Sequence, residues 1–193
     1  MMSFGIQYRW NTIGTKFSGN TEITAFNELI RFTGISSIAQ TAFQGCTNLE
    51  KIAIPSRITT LVSYQFRNCT NLASITLPPE LTSIGDAALS SNKLTSIDFP
   101  STLKTIGHYA MSSDKFTTLD LPASITSIGQ SAFQANALLT TVTIHATTPP
   151  TNNGNFFSQC NALTAIYVPA GSVDAYKSAS GWSSYASKIQ AIP

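Results

Sequence analysis

Charged side chains are scarce in this 193-residue chain, where Asp, Glu, Lys and Arg make up 10% of all residues. The usual share in soluble domains is about 25%. The 11 Lys and Arg residues nearly balance the 9 Asp and Glu residues and form no basic run. Because nucleic-acid binding requires clustered basic side chains, we expect no nucleic-acid partner. No apolar stretch approaches the roughly 20 residues that cross a bilayer, so we expect no membrane span.

Histidine and cysteine are also rare, with 2 and 3 residues. His108 falls in a turn and His145 follows a strand, so neither is placed like the base of a Ser–His–Asp site. The cysteines lack the paired Cys-x-x-Cys spacing of a zinc site, and no phosphate-binding glycine motif occurs. We therefore predict no catalytic residue, no metal and no cofactor, and hence a protein that is not an enzyme.

A secretory signal is missing from residues 1–10, which have no basic start, no apolar stretch and no small-residue cleavage site. Two alternatives follow from the residues alone. Either the protein is cytoplasmic, or the chain is a portion or mature form of an exported protein.

An internal repeat of 22–24 residues dominates the sequence, whose surface is rich in hydroxyl groups from 24 Ser and 25 Thr. Each copy opens with the pattern L-x-x-I-x-L-P, in which the first residue is a leucine or another apolar residue. The opening residues are Leu49, Leu72, Leu94, Phe116, Leu139 and Leu163. Apolar residues two apart are typical of a strand, and the proline ends it. Such short strands bury their apolar face only by stacking in parallel, so the repeat predicts a solenoid with one parallel sheet.

The second half of each copy contains a further Ile, a glycine and a small-plus-large apolar pair, as in Ile106-Gly107 and Ala110-Met111. We expect the glycine to permit a tight turn with positive φ and the large apolar residue to point inward. One further position is small or polar in every copy. It holds Cys46, Cys69, Asn92, Asp114, Asn136 and Cys160.

The cysteines share this position with asparagine, so we interpret them as buried free thiols. Cys46 and Cys69 lie on adjacent coils, and a disulfide between them stays open as the alternative.

The ends of the array depart from the repeat. Residues 1–21 do not fit it and are interpreted as a lead-in. Residues 22–48 are interpreted as an N-terminal cap with a first partial repeat, and residues 49–168 as the repeats. The predicted cap residues are Phe26, Leu29 and Phe32.

A C-terminal cap is predicted over residues 169–193. Its helix is expected at about 172–179, with Ser172 as N-cap and with Tyr176 and Trp182 covering the last coil. Residues 148–157 are interpreted as an irregular loop, either a tolerated insertion or a binding loop.

The full motif, L-x-x-I-x-L-P-x-x-L-x-x-I-G-x-x-A-F-x-x-C, resembles the BspA-type (Treponema-type) leucine-rich repeat over residues 23–168. The resemblance implies an α/β repeat solenoid, a right-handed array with a parallel sheet of short strands. It also implies mostly strand and loop, with little helix apart from the C-terminal cap. Proteins of this family are typically surface-exposed or secreted in bacteria and act in adhesion.

The exposed face of the strands is the candidate binding site. Its outward positions are Lys51, Ser74, Thr76, Ser96, Asp98, Thr118, Asp120, Thr141, Thr143 and Tyr167. Asp98 and Asp120 take the same strand position on neighbouring coils, where a cation or a lysine would offset their repulsion. The simpler interpretation is a solvated strand face on which Thr is favoured as a strand former.

Two functions remain open at this point. The first, which rests on the resemblance, is a non-enzymatic, monomeric surface or secreted protein that binds a host extracellular protein or glycan. The second is a structural spacer, or repeat segment of a larger surface protein, without a ligand of its own.

Overall fold

The computed structural model describes residues 11–31, 34–152 and 154–193. Its strands are all paired in parallel. They are β1 (Thr12–Ile13), β2 (Ala25–Phe26), β3 (Ser37–Ile38), β4 (Lys51–Ala53), β5 (Thr60–Leu61), β6 (Ser74–Thr76), β7 (Ser83–Ile84), β8 (Thr105–Ile106), β9 (Thr118–Leu121), β10 (Ser127–Ile128), β11 (Thr141–Ile144), β12 (Thr151–Asn152), β13 (Ala165–Val168) and β14 (Ile189–Ala191).

Helix is short and concentrated near the C-terminus, as the sequence predicts. Within the described ranges the α-helix is α1 (Val173–Ser178). Short 3-10 helices cover Thr15–Phe17, Asn27–Arg31, Ala170–Ser172 and Ser183–Lys188.

The coils build two stacks of strands, so the predicted solenoid is confirmed. The L-x-x-I-x-L-P strands form the sheets β2-β4-β6 and β9-β11-β13-β14. The Ile-Gly strands form the sheets β1-β3 and β5-β7-β8-β10-β12. Equivalent residues stand side by side: Ile52 pairs with Ile75, and Leu119 pairs with Val142. Stacking like on like gives one continuous apolar core.

The third copy of the motif, residues 94–100, forms no strand and divides the expected single sheet in two. The linker before its opening Leu94 is one residue shorter than the linker before Leu72. Lys93, which precedes Leu94, donates its N–H to the Leu72 carbonyl oxygen at 2.9 Å. In the preceding coil the donor is instead Ala73, which follows the leucine. Lys115, which precedes Phe116, donates in the same way to the Leu94 carbonyl oxygen at 2.9 Å, so this copy is hydrogen-bonded to both neighbours without forming a strand.

The small-or-polar position forms a buried ladder in which four of the six side chains donate to a carbonyl oxygen of the preceding coil. Asn92 Nδ2 donates instead to Leu89 O of its own coil at 2.7 Å. The three cysteines are buried and unbridged. The bonds run from Cys46 Sγ to Phe17 O (2.9 Å), Cys69 Sγ to Phe43 O (3.0 Å), Cys160 Sγ to Phe133 O (3.1 Å) and Asn136 Nδ2 to Met111 O (2.9 Å). Cys and Asn can alternate here because each supplies one short donor. Burial raises the pKa of the Cys160 thiol and keeps it protonated as a donor.

Asp114 occupies the same ladder and is almost completely buried. Its Oδ1 accepts the Asn92 N–H at 3.2 Å, and its Oδ2 has no hydrogen-bond partner among the described residues. Burial therefore raises the pKa of this carboxyl well above its ordinary value of 3.8. A carboxylate here lacks the donor that the ladder geometry uses.

We expect Asp114→Asn to stabilise the protein at neutral pH by about 1–2 kcal/mol, because an amide supplies the donor and carries no charge to desolvate. Since the folded-state pKa is raised, the folded chain keeps a proton that the unfolded chain releases. The wild-type free energy of unfolding therefore falls as pH rises above about 3.8, towards the raised pKa. Urea unfolding from acidic to mildly alkaline pH should show the variant's advantage growing with pH. An advantage that is constant over this range, or equal to that of the exposed control Asp174→Asn, would contradict the explanation.

The glycine that follows the second Ile has a different role from the predicted one. Gly85, Gly107 and Gly129 do not adopt positive φ. A Cβ on Gly129 would instead lie 2.5 Å from the backbone nitrogen of His108 in the preceding coil. The absence of a side chain lets successive coils approach closely, so the expectation of a positive-φ turn was wrong.

Left-handed backbone occurs instead at two turn positions of each coil, mostly in residues other than glycine. The first position holds Thr41, Tyr64, Ala87, Tyr109, Ser131 and Asn155, with φ between 48° and 62°. We call it the first turn position. The second holds Gly45, Asn68, Ser91, Ser113, Ala135 and Gln159.

The described part of the predicted lead-in is a partial coil of the array. β1 pairs with β3, and the Phe17 ring stacks on Phe43 with centroids 5.4 Å apart. Of the predicted cap residues, Leu29 is fully buried, Phe26 meets Phe43 edge-on, and Phe32 lies outside the described residues.

The C-terminal cap covers the last coil as expected. Tyr176 and Trp182 are fully buried, and their polar atoms donate to the carbonyl oxygens of Ala146 and Pro150, both at 2.9 Å. Ser172 precedes α1 but does not cap it through its side chain, because its Oγ donates to Thr147 O at 2.7 Å.

The interpretation of residues 148–157 as an irregular loop was wrong in part. Thr151 pairs with Ser127 as part of a regular strand, and the Phe157 ring stacks on Phe133 at 5.5 Å. The segment is therefore a coil of the array lying beneath the cap.

Candidate functional site

The strand face is divided by the third copy into two patches. The first patch lies on β2, β4 and β6, where Lys51 stands beside Ser74, and Ala53 beside Thr76. The Lys51, Ser74 and Thr76 side chains are exposed. This patch offers one cation and two hydroxyls to a partner.

The second patch is longer and more varied. One row across β9, β11, β13 and β14 places Asp120, Thr143, Tyr167 and Gln190 side by side in register. A parallel row contains Thr118 and Thr141. Because neighbouring strands lie about 4.8 Å apart, the row of four spans roughly 14 Å. Asp120 is exposed, whereas Thr141, Thr143 and Tyr167 are partly buried.

His145 belongs to this patch, although it is not among the residues predicted for the strand face. Its Nε2 lies 2.7 Å from Asp120 Oδ1, and both side chains are exposed. The signal was present in the alternation of the strand, because Thr141, Thr143 and His145 are two residues apart and therefore point to the same side. The histidine orients the carboxylate at one end of the row.

Ser96 and Asp98 are exposed but lie on no strand, since the third copy forms none. Asp98 and Asp120 therefore do not form the cross-strand pair that the repeat suggests. Among the described residues no group of three or more His, Cys, Asp or Glu side chains is placed to hold a metal ion.

The repeat, the two strand stacks and the buried ladder point to one family. A sequence model of the BspA type leucine rich repeat region, with six copies, matches residues 6–113 and 36–164. The chain belongs to the BspA-type leucine-rich repeat family. These matches cover most of the chain, so the whole array of coils belongs to this family.

The chain is similar to solved structures of bacterial leucine-rich repeat proteins. A leucine-rich repeat protein from Bacteroides ovatus is 32% identical, with a TM-score of 0.61, over 70% of this chain and 36% of that protein. The T. pallidum leucine rich repeat protein is 28% identical, with a TM-score of 0.60, over 69% of this chain and 65% of that one. A leucine rich cell surface protein from Faecalibacterium prausnitzii shares the fold at 20% identity, with a TM-score of 0.58, over 88% of this chain and 52% of that protein. This BspA-type chain thus spans between about a third and two thirds of the length of these proteins.

Among curated protein sequences, none is significantly similar to this BspA-type chain. Within the described ranges, no helix has the length and apolar character needed to traverse a lipid bilayer. The geometry of the strand face suits recognition through hydrogen bonds, since its side chains are hydroxyls, one carboxylate–histidine pair, an amide and one aromatic ring.

Proposed function

We propose that this chain is a non-enzymatic, monomeric binding module of a bacterial surface or secreted protein, and that its strand face engages a host extracellular protein or glycan. The row from Asp120 to Gln190 is the observation that carries this proposal. It presents four different side chains at fixed spacing on a rigid sheet, which is how a solenoid face recognises an extended partner.

The chemistry of the face defines how such a partner would bind. Asp120 and Thr143 are hydrogen-bonding groups for a peptide backbone or for sugar hydroxyls, and the half-buried Tyr167 ring offers an apolar contact. The face carries few charges, so affinity should depend only weakly on salt. With few contacts from each module, display of many copies would raise the overall affinity.

A structural spacer is the second candidate function, and two observations favour it. Asp120 is already engaged by His145, and Thr is common on solvated strands without a ligand. The spacer predicts no partner for the isolated chain.

Binding of the purified chain to arrayed glycans and extracellular-matrix proteins tests the proposal. The combined variant Asp98→Ala, Asp120→Ala and Tyr167→Ala should weaken binding by at least about tenfold, because it removes the carboxylates and the ring. The matched control carries Glu80→Ala, Leu138→Ala and Asp174→Ala, which change exposed side chains elsewhere, and it should bind like the wild type.

Circular dichroism establishes that both variants remain folded. A wild-type chain that binds nothing on the arrays supports the spacer. The strand face is excluded if the first variant retains every partner at full affinity.

A further inference from the structure

A groove of about 600 Å³ crosses several coils on the turns that follow the Ile-Gly strands. None of the proposed strand-face residues lines it. Two exposed aromatic side chains stand in the groove: Tyr64 is 36% exposed and Tyr109 is 45% exposed. Aromatic rings that remain exposed to water on a folded surface indicate a binding role.

The backbone at both tyrosines is left-handed, with φ of 62° at Tyr64 and 54° at Tyr109. Bulky side chains rarely adopt this region. Both residues occupy the first turn position, which holds smaller residues in the other coils. Because the exposed rings recover little of this strain through burial, their presence points to a role outside folding.

The spacing of the two rings follows from the repeat. Tyr64 and Tyr109 are two coils apart, and Ala87 takes the same position on the coil between them. Coils that stack at about 4.8 Å place the two tyrosine positions roughly 10 Å apart along the array. Ala87 is buried and has a small side chain, so it leaves the space between the rings open. A disaccharide unit of an extended sugar chain has a similar length.

Polar groups with fixed orientation line the same groove. His108 Nδ1 accepts the N–H of Gln130 at 3.0 Å, so the neutral imidazole carries its hydrogen on Nε2 as a donor. The Asp86 carboxylate is also held in place, because its Oδ1 accepts the backbone N–H of His108 at 2.7 Å. Gln134 also lines the groove and brings both a donor and an acceptor.

We propose that this groove binds an uncharged oligosaccharide, with Tyr64 and Tyr109 as stacking platforms and with His108, Asp86 and Gln134 as hydrogen-bond partners. Flat sugar faces pack on aromatic rings, and sugar hydroxyls match the oriented donors and acceptors. The site goes beyond the proposed strand-face function and does not depend on it.

The lining favours a sugar over a peptide or an acidic glycan. Apart from the tyrosines, its apolar members are Ala87 and Ala135, which form no pocket for an apolar anchor of a peptide. Arg67 and Asp86 balance in charge, and the Arg67 guanidinium lies over the Tyr64 ring at 5.6 Å. A sulfated glycan would therefore find no excess of positive charge.

Isothermal titration calorimetry with cello-, chito- and malto-oligosaccharides, and with heparin as the charged probe, tests this proposal. We expect a neutral series to bind with affinity that rises from monosaccharide to disaccharide and longer. Tyr64→Ala and Tyr109→Ala should each weaken binding by about tenfold. The Tyr→Phe variants, which keep the rings, should retain most of the affinity.

Stability is the second readout. The Tyr109→Gly variant should melt no lower than the wild type, since glycine relieves the left-handed strain, yet it should lose sugar affinity. The strand-face variant with Asp98→Ala, Asp120→Ala and Tyr167→Ala is the matched control and should bind the sugar normally.

The proposal would be overturned if no neutral sugar binds or if heparin alone binds. It would also be overturned if the variant combining Tyr64→Ala and Tyr109→Ala binds the sugar unchanged, or if the strand-face variant loses the sugar. If the tyrosine variants instead lose a matrix protein and no sugar binds, the groove is a protein-binding site. Since these readouts involve different residues from the strand-face test, each proposal can fail without the other.

Discussion

The Gly129→Ala variant is expected to lose about 3 kcal/mol of unfolding free energy, because the added methyl group overpacks a closely approached backbone. Its Cβ would lie 2.5 Å from both Gly107 C and His108 N of the preceding coil. Backbone atoms held in a hydrogen-bonded ladder cannot move aside as the end of a flexible side chain would. Urea unfolding of the wild type and the variant measures the difference.

Gly14→Ala is the matched control. Gly14 follows Ile13 just as Gly129 follows Ile128, but a Cβ there would meet nothing within 4 Å in the part of the chain that the structure describes. We expect a change within about 0.5 kcal/mol. Equal losses in the two variants would show that contact between coils is not the reason for the glycine.

The Phe43→Ala variant is expected to lose about 4 kcal/mol, since it removes a fully buried ring and leaves a cavity. Phe43 stacks between Phe17 and Phe66, with ring centroids 5.4 Å and 5.1 Å away, and Phe26 meets it edge-on. One truncation therefore removes contacts with two neighbouring coils at once. Thermal and urea unfolding should both report the loss.

Phe43→Met is the informative comparison, because Met111 already fills the equivalent position in another coil and is fully buried. A flexible thioether side chain of similar volume should cost less than about 1.5 kcal/mol. If Phe43→Met were as damaging as Phe43→Ala, the stacking of rings rather than the filled volume would explain the stability.

Alternating apolar residues predicted the strands and their buried face, because a period of two is a property of a single strand. The spacing of the copies predicted the coil length. The missing strand at residues 94–100 was not predictable in the same way. It depends on the backbone hydrogen bonds between neighbouring coils, which the motif itself does not reveal. The prediction for Gly129 was wrong for a related reason. A glycine can be required either for positive φ or for close approach of another backbone, and the sequence does not distinguish these two requirements.

Prediction was less complete for the candidate site. The row of Asp120, Thr143 and Tyr167 followed from strand alternation and from the alignment of copies. The pairing of Asp120 with His145 required knowing that β11 extends to Ile144. The tyrosine groove has no sequence signal of its own, because a left-handed tyrosine looks like any other residue in a variable turn.

The first turn position has a consequence for protein engineering. Tyr64, Ala87 and Tyr109 each donate their backbone N–H to a carbonyl oxygen of the next coil, at 2.8–3.1 Å. The inter-coil hydrogen bonds therefore fix the conformation, whichever side chain is present. The array can thus serve as a scaffold for combinatorial libraries, in which the exposed positions 64 and 109 are randomised together. A new specificity could then be selected from such a library without redesign of the interior.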